Sequence, residues 1–104
     1  MEWIEAVARL WRWQGATAPA AWYFLTIDGA AADAIRVAAF SGQWLDHRPG
    51  FGSAKVTAMI GETRWQTSVF PHKESDGWLL PVKKAVRMAE RLSEGDDVRV
   101  VIAL

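Results

Sequence analysis

Hydrophobic and polar positions alternate along much of this chain, a pattern typical of β-strands with one buried face. Residues 2–13 show it first, although a helix is the alternative there because Ala and Glu are frequent. Gly61 and Glu62 separate two such runs and predict a two-residue hairpin turn with glycine in its first position. The predicted strands are residues 2–13, 21–27, 53–60, 63–70, 78–80 and 98–104.

Two segments have the longer apolar repeat of an amphipathic helix. The first covers residues 30–41, begins after Asp28, which suits an N-cap, and ends near Gly42. The second follows Pro81, whose missing N–H would be unpaired in a first helical turn anyway. Gly95 is expected to cap its C-terminus. Its apolar stripe consists of Val82, Ala85, Val86, Ala89 and Leu92.

These elements predict a mainly β fold with two helices, arranged as a small closed or split β-barrel of about five to seven strands, because closure removes exposed strand edges. The helices would plug the barrel ends or cover a flank. The length of 104 residues predicts one domain, residues 1–104. Seven tryptophans are expected to pack mainly in the core, with the lining of a sugar or aromatic-ligand pocket as the alternative.

The charge balance limits the classes of partner. Lys plus Arg and Asp plus Glu are both 12, so the formal net charge is zero, which disfavours a general nucleic-acid binder. The absence of cysteine excludes disulfides and thiolate chemistry. Neither a basic leader followed by an apolar run nor an apolar stretch of membrane-spanning length is visible. A soluble cytoplasmic protein without membrane attachment is therefore expected.

No constellation of residues predicts a reaction. His47 and His72 have no further His or Cys at metal-ligand spacing, so neither a metal nor a cofactor is expected. Ser68 has no flanking glycines, and its spacing to Lys83 or His72 gives no support to a nucleophile pair. Phosphate-loop and dinucleotide motifs do not occur. Whether the protein is an enzyme stays open at this point, with a non-enzymatic role favoured.

The strongest candidate site is a patch for an anion or polar ligand around the second helix. Lys83 and Lys84 lie in its first turn, where the helix dipole disfavours cations, and this mismatch suggests a bound anion. Arg87 has the fork geometry that suits a carboxylate or phosphate. A solvated basic face that binds nothing specific is the alternative. The candidate ligand-binding residues are Trp65, Thr67, Ser68, Trp78, Lys83, Lys84 and Arg87.

Four motifs together resemble a bacterial family known as domain of unknown function nineteen hundred and five. They are GFGSAKV (residues 50–56), W-x-T-S-x-F-P (65–71), LPVKKAVR (80–87) and EGD-x-V (94–98). The tryptophan-rich first strand and the AWYFLTI segment are also similar, so the resemblance covers nearly the whole chain. It departs at Asp28, where a proline is expected. The resemblance implies a compact β-barrel with two helices and no established activity.

A second, local resemblance covers residues 80–100. Leu80-Pro81, the basic helix, Gly95-Asp96 and a V-x-V strand are similar to the swapped-hairpin (AbrB/MazE-type) barrels of bacterial transition-state regulators and antitoxins, which bind DNA as dimers. The sequence as a whole favours a binding module for a small anionic ligand or a protein partner, as a monomer or homodimer. A nucleic-acid-binding regulator is the first alternative, and an enzyme with an unrecognised site is the second.

Overall fold

A computed structural model describes residues 3–15, 21–43 and 52–104. Six antiparallel strands form a closed barrel, accompanied by two helices, as predicted from the sequence. The strands are β1 (Ile4–Trp13), β2 (Trp22–Ile27), β3 (Ala54–Ile60), β4 (Thr63–His72), β5 (Gly77–Pro81) and β6 (Asp97–Ala103). The helices are α1 (Gly29–Gln43) and α2 (Lys84–Ala89).

The strands follow one another around the barrel in the order β1-β2-β5-β4-β3-β6, and β6 returns to β1. All neighbouring pairs are antiparallel, so every strand of this single chain has a partner on each side for part of its length. The hairpin between β3 and β4 has the predicted two-residue turn, because Ile60 pairs with Thr63. Gly61 occupies its first position with a φ of 58°, which a side chain would disfavour.

Strand predictions are confirmed to within one or two residues at most ends, and residues 4–13 form a strand rather than the alternative helix. β4 is longer than the strand predicted for residues 63–70, because Pro71 and His72 extend it and pair with Trp78 and Gly77. β3 does not reach this part of β4, because its first residue, Ala54, pairs with Val69. At Pro71 β4 therefore has a partner strand on one side only, a position at which a sheet tolerates a residue without an N–H.

The barrel interior is filled by the apolar faces of the strands. Alternate residues of β3 and β6 point inward as predicted, and Leu104 is half-buried beyond the end of β6. α1 buries Ala32 and Ile35, and α2 buries Val86. The largest fully buried side chains are Leu10, Leu25, Ile27, Ile35, Val69, Leu80, Val86, Val100 and Ile102. None of the helices in the described residues combines the length and apolarity needed to span a membrane.

The second helix is shorter than the sequence predicted. It ends at Ala89, and Glu90 is its C-cap. Ala85 and Ala89 are exposed and do not belong to a buried apolar stripe. Arg91 then takes the left-handed conformation, with a φ of 54°, that was expected of Gly95. The Leu92 N–H donates to the Arg87 carbonyl at 2.8 Å and the Arg91 N–H to the Met88 carbonyl at 3.4 Å, the two bonds of a Schellman motif.

The tryptophans divide between the core and the surface. Trp65 and Trp78 are buried, and Trp11 is half-buried. Three others are exposed, namely Trp3, Trp13 and Trp22, with 37%, 48% and 54% of their surface accessible. Trp44 and His47 lie outside the described residues. The expectation that tryptophans mainly fill the core is therefore wrong for half of those described, and their exposure needs another explanation.

Candidate functional site

A cleft opens where β4 and β5 separate. β4 pairs with β5 only at Phe70, Pro71 and His72. The last residues of β5, Leu80 and Pro81, pair only with β2 on the other side of the strand, whereas the part of β4 before Phe70 pairs with β3. Two residues separate the end of β5 from α2, and Val82 in this connection and Val86 in α2 are both buried. The divergence of two strands and the turn into α2 thus create a concave surface on an otherwise closed barrel.

This cleft has a volume of about 770 Å³ and brings together six of the seven predicted ligand-binding residues. They are Trp65, Thr67, Ser68, Lys83, Lys84 and Arg87. Trp78 lies elsewhere: it is buried, and its indole N–H donates to the Ala32 carbonyl of α1 at 3.2 Å. Lys55 and Tyr23 also line this surface, which we call the cationic cleft.

Arg87 is the most closely held cation of the cleft. Its guanidinium carbon lies 3.7 Å from the centre of the Tyr23 ring, a cation–π contact. Its Nε–H donates to the Val82 carbonyl at 3.2 Å. Val82 is in turn fixed by its own N–H, which donates to the Tyr23 carbonyl at 2.9 Å. Among the described residues nothing accepts from the two Nη atoms of Arg87, so these donors remain available for a ligand.

The charges lining the cleft all have the same sign. Lys55, Lys83, Lys84 and Arg87 contribute four cations, and no acidic residue is part of the lining. No carboxylate of residues 3–15, 21–43 and 52–104 forms a salt bridge with any of the four. By contrast, Arg9, Arg36 and Arg99 all have acidic partners. The molecule is neutral overall, but four cations without an acidic partner in the described chain line one concave surface.

Lys55 and Tyr23 were not identified from the sequence. Lys55 stands directly opposite Ser68 in the β3–β4 ladder. Counting outward from the predicted hairpin turn, with Ile60 opposite Thr63, gives this pairing, so the signal was present. Tyr23 lies near Arg87 because β2 pairs with β5, a contact between distant segments that no local pattern indicates.

The geometry of α2 does not support the helix-dipole argument for an anion at this site. α2 has only six residues, and Lys83 is its N-cap without any side-chain capping bond. A helix this short has little macrodipole, because few peptide units add to it. The lysines therefore belong to the site through their position on the cleft wall and not through the N-terminus of a long helix.

A second concave surface adjoins the first and shares Trp22, Phe70 and Pro81 with it. Its volume is about 690 Å³, and it is lined mainly by aromatic rings. We call it the aromatic groove; its further lining residues are Trp11, Trp13, Phe24, His72, Glu74 and Leu79. Sequence analysis raised a tryptophan-lined pocket only as the less favoured alternative.

The rings of the aromatic groove are held in order. Trp22 and Phe24 are nearly parallel, with an interplanar angle of 9° and centroids 6.2 Å apart. Trp11 packs against Phe24 at 5.3 Å, and its indole N–H donates to the Thr26 hydroxyl at 2.8 Å. A hydrogen bond therefore anchors Trp11 at one end of this group of rings, while Trp22 at the other end is exposed.

The residues considered for a nucleophile pair lie on both concave surfaces. Ser68 and Lys83 share the cationic cleft, whereas His72 lines the aromatic groove and contacts Ser75 through Nδ1 at 2.7 Å. In the part of the chain that the structure describes, no hydrogen bond joins Ser68 to Lys83 or His72, and no group of three or more His, Cys, Asp or Glu residues could hold a metal ion.

Comparison with known proteins identifies one family. The family model described as Domain of unknown function (DUF1905) matches residues 7–102, a range that includes every residue of both concave surfaces. No curated protein matches the chain. The family description assigns no ligand or activity, so function has to be argued from the site itself.

Proposed function

The chain belongs to the family described as Domain of unknown function (DUF1905), and on that premise we propose that the domain is a non-enzymatic binding module whose cationic cleft holds a small organic anion. The ligand carries a phosphate or carboxylate group. One observation carries the proposal: Arg87 is held by Tyr23 and the Val82 carbonyl with its Nη donors directed to no acceptor of the described residues. Such a preoriented fork matches the oxygen pairs of carboxylate and phosphate.

The surrounding residues support an anion of more than one charge. Lys55, Lys83 and Lys84 are point charges around the Arg87 fork, and their mutual repulsion in the empty cleft is relieved when an anion binds. The hydroxyls of Thr67 and Ser68 on β4 can donate to further ligand oxygens. Trp65 and Tyr23 wall the cleft, so part of each contact is shielded from water and its electrostatic strength is raised.

Isothermal titration calorimetry with ribose 5-phosphate and with succinate tests the proposal, because the two probes carry a phosphate and carboxylates on otherwise small molecules. At least one is expected to bind with a dissociation constant below about 1 mM at low ionic strength. Arg87→Ala should weaken that binding by at least about tenfold, since a charge-assisted hydrogen bond contributes about 1.5–3 kcal/mol.

Arg9→Ala is the matched control. Arg9 is exposed, pairs with Asp97 and lines neither concave surface, so its removal changes the net charge equally without touching the cleft. The control should leave both affinities unchanged. The proposal would be wrong if neither probe bound, or if Arg9→Ala weakened binding as much as Arg87→Ala.

A further inference from the structure

The cationic cleft and the aromatic groove are two halves of one site, and we infer that its ligand is a nucleoside phosphate. This rests on the proposed function and extends it from an anion to an anion joined to a flat heterocyclic ring. The two concave surfaces share Trp22, Phe70 and Pro81, so a ligand can extend from one into the other over a common wall. The phosphate occupies the cationic end and the base occupies the aromatic end.

A flat ring fits the aromatic end better than a flexible aliphatic chain. Trp22 and Phe24 are within 9° of parallel, and the bond from Trp11 to Thr26 fixes the third ring of the stack. The Trp11 ring is tilted by 39° to Phe24, so the parallel pair of Trp22 and Phe24 provides the flat surface on which another π-system stacks with little loss of conformational entropy. Trp22 is 54% exposed, and Phe70, which also lines the aromatic groove, is 44% exposed, so two rings of the groove are open for such contact.

Polar groups at the same end indicate a heterocycle rather than a hydrocarbon ring. His72 and Glu74 line the aromatic groove, and the Nδ1 atom of His72 is already engaged with Ser75. A carboxylate only accepts hydrogen bonds when ionised, and the amino and imino N–H groups of a nucleobase edge can supply the donors. A purely apolar ring would leave the Glu74 carboxylate without any contact from the ligand.

The distribution of charge favours one small molecule over a polynucleotide. Of the two surfaces only the cationic cleft has Lys or Arg in its lining, and the aromatic groove carries an acid, Glu74. A nucleic-acid strand would place its next phosphate near that carboxylate and be repelled. The protein also lacks the basic excess that generally accompanies polyanion binding. A ligand that is anionic at only one end matches the charges of both surfaces.

Calorimetric titration with the 5′-monophosphates of adenosine, guanosine, cytidine and uridine tests the inference, with ribose 5-phosphate and the four nucleosides as matched probes. At least one mononucleotide should bind about tenfold or more tightly than ribose 5-phosphate, as one stacked base provides. The corresponding nucleoside should bind more weakly than its mononucleotide, because it lacks the anion.

Trp22→Ala should remove most of the affinity ratio between the mononucleotide and ribose 5-phosphate. Trp3→Ala is the control, because Trp3 is also exposed but lies in neither concave surface and contacts Arg64 instead. The control should preserve the ratio. An unchanged thermal midpoint of Trp22→Ala would show that the loss is not due to unfolding, and a Trp22→Phe variant that keeps part of the ratio provides a second, conservative test.

The outcomes separate the two proposals. If ribose 5-phosphate binds through Arg87 but no mononucleotide binds more tightly, the inference is wrong and the proposed function stands. If the nucleosides bind as tightly as the mononucleotides, or if no phosphate compound binds, the inference is wrong. The proposed function fails as well if neither ribose 5-phosphate nor succinate binds. A single-stranded oligonucleotide that binds about 100-fold or more tightly than any mononucleotide would also overturn the inference, in favour of a nucleic-acid strand.

Discussion

Arg87 differs in its contacts from the three arginines that form salt bridges in the described residues. Arg9, Arg36 and Arg99 form salt bridges with carboxylates on the surface. Arg87 instead rests on the ring of Tyr23 and donates to a backbone carbonyl. Those contacts orient the guanidinium without neutralising it, and a charge held in this way has little freedom to lose when a ligand binds.

Arg87→Lys should distinguish the contribution of the positive charge from that of the planar guanidinium donors. A lysine retains the positive charge but loses the planar donors, the Nε–H bond to Val82 and the stacking on Tyr23. We expect ribose 5-phosphate to bind the Lys variant more weakly than the natural protein by about tenfold, and Arg87→Ala to be weaker still. Calorimetric titration of the three proteins at one ionic strength measures this order, and equal affinities for Arg and Lys would show that charge alone matters.

Gly77 illustrates a different constraint at the scale of one residue. A Cβ at this position would collide with the backbone carbonyl oxygen of Ile27, which a side-chain rotation cannot relieve. Gly77 pairs with His72 at the start of β5, so the collision would displace the strand that leads into the cationic cleft.

Gly77→Ala should therefore lower the free energy of unfolding by about 1–3 kcal/mol, as overpacking does in cores. Urea denaturation, followed by tryptophan fluorescence, measures the change. A loss smaller than about 0.5 kcal/mol, the usual range for surface substitutions, would show that the two backbone segments can move apart freely.

At the scale of elements, the end of α2 is set by the backbone and not by a glycine. Arg91 is left-handed, at a φ of 54°, and the bonds from Arg91 and Leu92 back to α2 satisfy its last carbonyls. Leu92 packs half-buried against the core and anchors this turn. The apolar contact of Leu92 therefore supports a left-handed conformation that costs an L-residue about 1 kcal/mol.

Arg91→Gly should raise the free energy of unfolding by about 0.5–1 kcal/mol, because glycine adopts positive φ without strain. Arg91→Ala is the control: it removes the same charge but keeps a Cβ, and it should give no gain. Both values come from urea denaturation. If the two variants were equally stable, the benefit would have to come from removing the charge, and the account of this cap would be wrong.

The separation of β4 and β5 is what turns a closed barrel into a binding surface. Where the two strands pair, at Phe70 to His72, they form an ordinary ladder. Beyond it α2 enters the space beside β4 and carries Lys83, Lys84 and Arg87 to the wall of the cleft. The basic residues are therefore positioned by an interruption in the sheet. For the same reason the cleft lies between two strands with different neighbours, because β4 pairs with β3 there and β5 with β2.

For the whole molecule, strand and turn patterns in the sequence predicted the barrel because each segment carries a local signal. The β6 alternation and the Gly61 turn are examples, and both are confirmed. The predicted length of α2 was wrong because Ala85 and Ala89, which fall at helical spacing, were expected to belong to a buried apolar stripe. Its true end depends on the left-handed turn at Arg91, which tertiary packing of Leu92 supports.

The site was predictable only where local sequence carried it. The basic residues of α2 and the hydroxyls of β4 stand in short motifs, and the structure places them on one cleft. Tyr23 and the exposed aromatic rings come together only through the pairing of β1 with β2 and of β2 with β5. Such pairings join distant segments, and hydrophobicity alone cannot distinguish an exposed tryptophan platform from a tryptophan core.

The most direct test of the central claim, that the cationic cleft binds an organic phosphate, is a titration of ¹⁵N-labelled protein with ribose 5-phosphate followed by NMR. We expect saturable shift changes at the Arg87 Nε–H and at the backbone amides of Gln66, Thr67, Ser68 and Lys84, all lining the cleft. The signals of Arg9 and Arg99 on the opposite ladder should not move, and Arg87→Ala should abolish the changes. Shifts spread evenly over the surface, or absent at saturating phosphate, would contradict the account.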